Sequence, residues 1–130
     1  MRKRSKQLTL QNNFIYNYTE KLYAEIIEDK TIRFPAKINY SIQKNFKNLF
    51  SIYQEINEEK DNICREYSTS QEKEIFIFND EIKRMKAEQE LNDLMLMEQD
   101  VNIIKFNLEE LNNIDLTFAQ MDALMFMIEE

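Results

Sequence analysis

Apolar side chains recur along residues 42–67 at spacings that alternate between four and three. The positions are, in order, Ile42, Phe46, Leu49, Tyr53, Ile56, Lys60, Ile63 and Tyr67, and only Lys60 is polar. This alternation is typical of a helix that carries a heptad seam. Pro35 has a fixed φ and no N–H to donate, so it suits the first turn of such a helix. The pattern therefore predicts one long helix over about residues 35–67.

The middle of this seam has two interpretations. Leu49, Tyr53, Ile56, Lys60 and Ile63 form a possible self-association seam, in which the polar Lys60 fixes the register between two copies. The same residues also suit packing inside a single domain, because both arrangements require the same apolar face. The pattern leaves both interpretations open.

Shorter patterns predict elements on both sides of the long helix. Residues 7–11 alternate as a short strand does, and a helix capped by Asn12 or Asn13 is expected to follow. That helix is expected to pack in the core through Phe14, Tyr18, Leu22 and Ile26, with Ile15 and Tyr23 as further candidates. After the long helix, a polar loop over 68–72 is expected to precede a strand over 74–78.

The second half of the chain predicts two more helices and one more strand. A helix begins at Asn79–Asp80 with a less regular apolar stripe, which comprises Ile82, Met85, Ala87, Leu91, Leu94 and Met95. A strand is expected over 101–108 and a left-handed turn at Asn112–Asn113, because asparagine tolerates positive φ. Thr117 and Gln120 form a capping box that opens a final helix running to Glu130.

These elements define the expected fold class as α+β and mostly helical. One long helix is accompanied by two or three further helices and by a small sheet of two or three short strands. Residues 1–6 contain Arg2, Lys3, Arg4 and Lys6 and are expected to be a basic flexible tail. Residues 7–130 are expected to form a single domain, since this length supports one core.

Composition removes most catalytic sites from consideration. The chain contains neither glycine nor histidine. Phosphate-binding loops and nucleophile elbows require glycine, while catalytic triads and most zinc sites require histidine. The single Cys64 has no second cysteine with which to form a disulfide or hold zinc, which favours a reducing cytoplasm. No apolar run approaches the length of a membrane span, so no membrane association is expected.

Charge divides the chain into two parts. Residues 1–50 have a net charge of +6 and residues 51–130 have −13, within a total of −7. The densest acidic stretch of the long helix comprises Glu55, Glu58, Glu59 and Asp61. An acidic helical surface of this kind repels nucleic acid and attracts a basic groove on a protein. We therefore expect these four residues to bind a partner, while direct nucleic-acid binding is not expected.

Carboxylates are the only plausible catalytic groups. A carboxylate-metal nuclease would need several of them to converge on a divalent cation, and the candidates on the helix after Asn79 comprise Asp80, Glu81, Glu88, Glu90 and Asp93. Their spacing is that of exposed helix faces and not of a cleft. We expect no enzyme activity, no cofactor and no bound metal, and keep the nuclease as a third hypothesis.

Three segments resemble small uncharacterised accessory proteins of phages and prophages from low-GC Gram-positive bacteria. They are residues 35–45, residues 90–94 and residues 115–124. The resemblance implies a phage protein that acts in the cytoplasm of its bacterial host, and no active site is carried over with it. The leading hypothesis is a non-enzymatic, anti-CRISPR-like inhibitor that binds a host nucleic-acid-handling defence complex. The alternative is a homodimeric phage assembly or scaffold protein.

Overall fold

The computed structural model describes residues 5–129. Within this range, four strands and four α-helices follow one another, namely β1 (Ser5–Gln11), α1 (Asn12–Leu22), α2 (Ala36–Tyr67), β2 (Ser70–Glu72), β3 (Ile75–Ile77), α3 (Glu81–Leu96), β4 (Glu98–Ile104) and α4 (Phe118–Leu124). A π-helical turn extends α1 over Tyr23–Ile27, and 3-10 turns lie at Leu108–Leu111 and Met125–Met127. The predicted α+β, mostly helical fold with one long helix is confirmed.

Helix α2 is the longest helix in the described part of the chain. It begins one residue after Pro35, which has a φ of −53°, and it ends at Tyr67, so both predicted boundaries are confirmed. Ile38, Ile42 and other apolar side chains of its inner face join a core built with α1, β4 and the segment around α4. The heptad spacing therefore buries one side of α2 along most of its length.

Strands β1 and β4 form an antiparallel pair, with Ser5 opposite Ile104 and Gln11 opposite Glu98. The sequence predicted a strand over 101–108, whereas β4 runs over Glu98–Ile104. The difference arises because pairing with β1 sets the limits of β4. Ser5 and Lys6 belong to β1, which corrects their assignment to a flexible tail. The rest of that predicted tail, residues 1–4, lies outside the described residues.

Asn45 joins α2 to the free edge of this pair of strands. Its side chain is fully buried, its Nδ2 donates to the Ile104 carbonyl at 2.9 Å, and its Oδ1 accepts from the Ile104 N–H at 2.7 Å. One turn further on, Asn48 Nδ2 donates to the Asn102 carbonyl at 3.0 Å. The amide of Asn45 thus takes the place that a third strand would occupy beside β4.

Asn12 does not cap α1, contrary to the sequence-based expectation, and Asn13 does not cap it either. Gln11 is the N-cap residue and its side chain makes no capping bond. Asn12 is instead buried, donates from Nδ2 to the Leu94 carbonyl at 2.8 Å, and accepts from Gln99 at 2.7 Å. It therefore joins α1 to the end of α3 and the start of β4.

Strands β2 and β3 form a separate antiparallel hairpin after α2. The expected loop over 68–72 was wrong for Ser70–Glu72, which pairs with Ile75–Ile77. Lys73 turns the chain with a φ of 57°, a conformation that non-glycine residues adopt rarely.

Helix α3 begins where the sequence predicts. The Asp80 carboxylate accepts from the backbone N–H groups of Ile82 and Lys83. Only part of its apolar stripe is buried. Ala87 is buried, Leu91, Leu94 and Met95 are half-buried, and both Ile82 and Met85 are exposed.

The final segment differs from the predicted continuous helix. The capping box of Thr117 and Gln120 is present and opens α4, and Asn113 has the expected positive φ, at 70°. The α-helix ends at Leu124, however, and tightens into the 3-10 turn. Ile128 is then extended and forms a parallel bridge with Phe106, which buries both side chains.

Candidate functional site

The four carboxylates singled out by sequence lie on the outer side of the second half of α2. We call Glu55, Glu58, Glu59 and Asp61 the acidic face, and all four are exposed. They lie there because Ile56 and the other buried seam residues direct the opposite side of the helix into the protein. The structure therefore exposes all four predicted partner-binding residues, which at about 100° per residue are spread over roughly 160° of the helix circumference.

The acidic face is unfavourable for the helix that carries it. Glu58 and Glu59 lie three and four residues after Glu55, and Asp61 lies three after Glu58, so like charges are neighbours along the helix surface. Each such pair costs the helix a few tenths of a kcal/mol. Among residues 5–129, none of the four carboxylates forms an ion pair. Natural sequences depart from locally stabilising charge patterns of this kind mainly at functional surfaces.

The position of this surface is fixed by contacts between α1 and α2. Tyr16 and Tyr53 stack with ring centroids 4.5 Å apart, and the Tyr16 hydroxyl donates to Asn57 Oδ1 at 2.8 Å. The Tyr53 hydroxyl donates to the Glu20 carboxylate at 2.9 Å. Burial, together with this hydrogen bond, raises the pKa of Tyr53 to about 12. The network holds the inner side of α2 rigidly beneath the acidic face.

The seam offered as a self-association surface packs inside the chain. Leu49, Ile56 and Ile63 are exposed by only 0%, 2% and 6%, so their side chains are covered by the protein itself. The Tyr53 hydroxyl donates to Glu20 of α1, as described above. The Lys60 ammonium lies 4.4 Å from the centroid of the Tyr16 ring, a cation–π contact. The polar position in the heptad therefore serves packing between α1 and α2.

The first half of α2 has the opposite charge. Lys37, Lys44 and Lys47 are all exposed there, and no acidic residue lies between Ala36 and Phe50. Lys37 forms an ion pair with Glu110 at 3.7 Å. Basic and acidic surfaces thus follow one another along a single helix.

Four of the five candidate carboxylates at α3 have structural partners, and Asp93 is the exception among the described residues. Asp80 caps the helix, while Glu81 and Glu88 both pair with Arg84. A hydrogen bond to Glu90 raises the pKa of Tyr67 to about 12. Within the described residues no group of three acidic or cysteine side chains is placed to hold a metal ion.

Open hollows on the described part of the surface include the following two. One is on the acidic face itself, between Ser51, Gln54, Glu55 and Glu58. The other lies between Asp29 and Thr117, where Asp29 accepts hydrogen bonds from Thr31 and Gln120. Those bonds, above all the one from the Thr31 hydroxyl, lower the pKa of Asp29.

Sequence reasoning missed one surface, the outer side of α3. Ile82 and Met85 were named only as members of an apolar stripe and Leu96 was left unassigned, yet they are 68%, 59% and 49% exposed. The available signal was that apolar residues lie on two opposite sides of this helix. A helix packed on one side only buries one of them.

Comparison with known protein families, curated proteins and solved structures finds no significant match. The resemblance to phage accessory proteins therefore stays a prediction. In the part of the chain that the structure describes, no helix combines the length and the apolar character needed to cross a bilayer.

Proposed function

We propose that this protein is a non-catalytic binding protein whose acidic face occupies a basic, nucleic-acid-binding groove on a partner protein. In its full form the proposal is a phage-encoded inhibitor of a host nucleic-acid-handling defence complex in the bacterial cytoplasm. The single observation that carries it is the acidic face, whose four exposed carboxylates form no ion pair within residues 5–129.

The spacing of the carboxylates along α2 supports a nucleic-acid-binding groove as the partner. Glu55 and Asp61 are six residues apart on a straight helix, which corresponds to about 9 Å at 1.5 Å per residue. Four negative charges over that length give roughly one per 2–3 Å, close to the ~1.7 Å per charge of duplex DNA. A groove that neutralises phosphates with lysine and arginine therefore meets a similar linear charge density on α2.

The rigid attachment of α2 to α1 also supports the proposed binding to a basic groove. The acidic face lies on the longest helix of the described chain, and the Tyr16–Tyr53 stack holds that helix against α1. Because the backbone that carries these charges is already ordered, binding has to order only their side chains. The same charges steer encounter with a basic surface, so association should weaken as salt rises.

The test is affinity purification from a nuclease-treated lysate of a low-GC Gram-positive bacterium, followed by mass spectrometry. The expected result is a stoichiometric protein that binds nucleic acid and that added duplex DNA or RNA displaces. Replacing Glu55, Glu58, Glu59 and Asp61 by lysine should weaken its binding by about tenfold or more.

A matched control distinguishes an effect of the acidic face from an effect of net charge alone. Replacing four other exposed carboxylates, Glu28, Glu74, Glu109 and Asp115, by lysine changes the net charge equally, from −7 to +1. This control should retain binding, and circular dichroism should show both variants folded. Equal loss in both variants, or unchanged affinity of the first, would overturn the proposal.

A further inference from the structure

Helix α3 carries a second heptad stripe, and this one faces solvent. Its members are Ile82, Met85, Gln89, Asn92 and Leu96, whose spacings again alternate between three and four. All five are exposed, and at about 100° per residue they lie opposite the buried Ala87. Charged residues flank the stripe on both sides and none lies within it. This is the arrangement of a helix whose seam packs on another helix.

We infer that a second copy of the chain docks antiparallel along this stripe, α3 against α3. The inference concerns a different helix from the acidic face and does not rest on the proposed function. In one register, Met85 faces Leu96 of the partner subunit and Gln89 faces Asn92 of the partner subunit. The twofold axis repeats both contacts, so apolar layers lie at the two ends and polar amides lie at the centre.

Charge complementarity selects the antiparallel orientation. In the heptad, Lys86 and Asp93 occupy the same flanking position one repeat apart, and both are exposed without an ion pair among residues 5–129. Antiparallel packing places Lys86 beside Asp93 of the partner subunit, twice in each dimer. Parallel packing instead places Glu81 beside Lys86 of the partner subunit but also Glu88 beside Asp93 of the partner subunit, so its attraction and its repulsion offset each other.

The other flank of the stripe is compatible with the same orientation. Glu88 comes to lie beside Met95 of the partner subunit and is already neutralised by Arg84 of its own chain. The central Gln89 and Asn92 amides can hydrogen-bond across the interface, and polar residues at seam positions specify register at a cost in stability. Four short layers bury little surface, so we expect a reversible dimer with micromolar affinity.

The experiment is sedimentation equilibrium of the full chain over a wide range of concentration. The wild type should approach twice the 15.8 kDa of one chain as concentration rises. Met85→Lys should weaken the dimer roughly 100-fold, since it places a charge against the apolar end layer. Met125→Lys changes an equally exposed methionine elsewhere and should leave the dimer unchanged.

Charge reversal then tests the orientation. Lys86→Glu and Asp93→Lys should each weaken self-association about tenfold, because each makes both intermolecular pairs repulsive. An equimolar mixture of the two variants should recover the dimer, since every pair in the mixed species is attractive. A wild type that stays monomeric, a dimer that survives Met85→Lys, or a stronger dimer in Asp93→Lys would each overturn the inference.

Discussion

Asn45 provides the sharpest test of how this fold is held together. Its side chain is fully buried, and its amide makes two hydrogen bonds to the backbone of Ile104. Asn45→Ala leaves the N–H and the carbonyl of Ile104 without partners, and each unpaired buried group costs about 1–3 kcal/mol. Allowing for partial relaxation, we expect a loss of about 2–4 kcal/mol from a total stability that is typically roughly 5–15 kcal/mol.

The assay is equilibrium unfolding in urea, followed by far-ultraviolet circular dichroism and tyrosine fluorescence. Asn48→Ala is the matched control, because Asn48 also bonds to a β4 carbonyl but lies where water can replace it. The control should lose less than about 1 kcal/mol. Equal losses in the two variants would refute the argument that burial makes the Asn45 amide indispensable.

Asn45→Asp extends the test to pH. The carboxylate accepts from the Ile104 N–H as the amide does, but it faces the Ile104 carbonyl without a proton to donate. Burial raises the pKa of such a carboxyl in the folded state above its unfolded value. The folded state therefore binds more protons, so stability of this variant falls as pH rises from the unfolded pKa through the folded one. A penalty that does not shrink in acid would contradict this account.

Three further predictions concern single side chains. Thr117→Ala removes the hydroxyl that accepts from the Gln120 N–H and should lower the free energy of unfolding by about 1 kcal/mol in urea titration. The folded pKa of Tyr53, about 12, exceeds its usual value of 10, so stability should fall as pH rises from 10 to 12, and Tyr53→Phe should reduce that fall. Burial raises the pKa of the Cys64 thiol, so it should react with a thiol reagent more slowly at neutral pH in the folded protein than in urea; equal rates would contradict this.

The elements that could be predicted from sequence are those determined by local interactions. Helix α2 was predictable because its seam continues from Ile42 to Tyr67 without a change of period and Pro35 marks its start. The capping residues Asp80 and Thr117 were equally visible, since their hydrogen bonds reach only two or three residues along the chain. Such signals require no knowledge of the rest of the fold.

The features that could not be predicted depend on pairing with other segments of the chain. Ser70–Glu72 has no apolar residue, and it is a strand only because Ile75–Ile77 folds back on it. The boundaries of β4 follow from β1, and the end of α4 follows from the bridge between Ile128 and Phe106. In the candidate site, the exposure of the acidic face could be predicted from the heptad periodicity of α2. Whether the seam packs inside the chain or against a second copy could not be predicted, because the answer depends on where α1 lies.

Pairing of β1 with β4 also sets an order of events during synthesis. Helices α1 and α2 can form and pack as soon as they leave the ribosome, because their contacts are close in sequence. Ser5 must wait until Ile104 has been made, and Lys6 later still for Glu129, with which it forms an ion pair at 3.9 Å. Until then β1 exposes two unpaired edges, and a nascent chain in this state is open to mispairing. Closure of this fold therefore waits for the synthesis of residues 104–129.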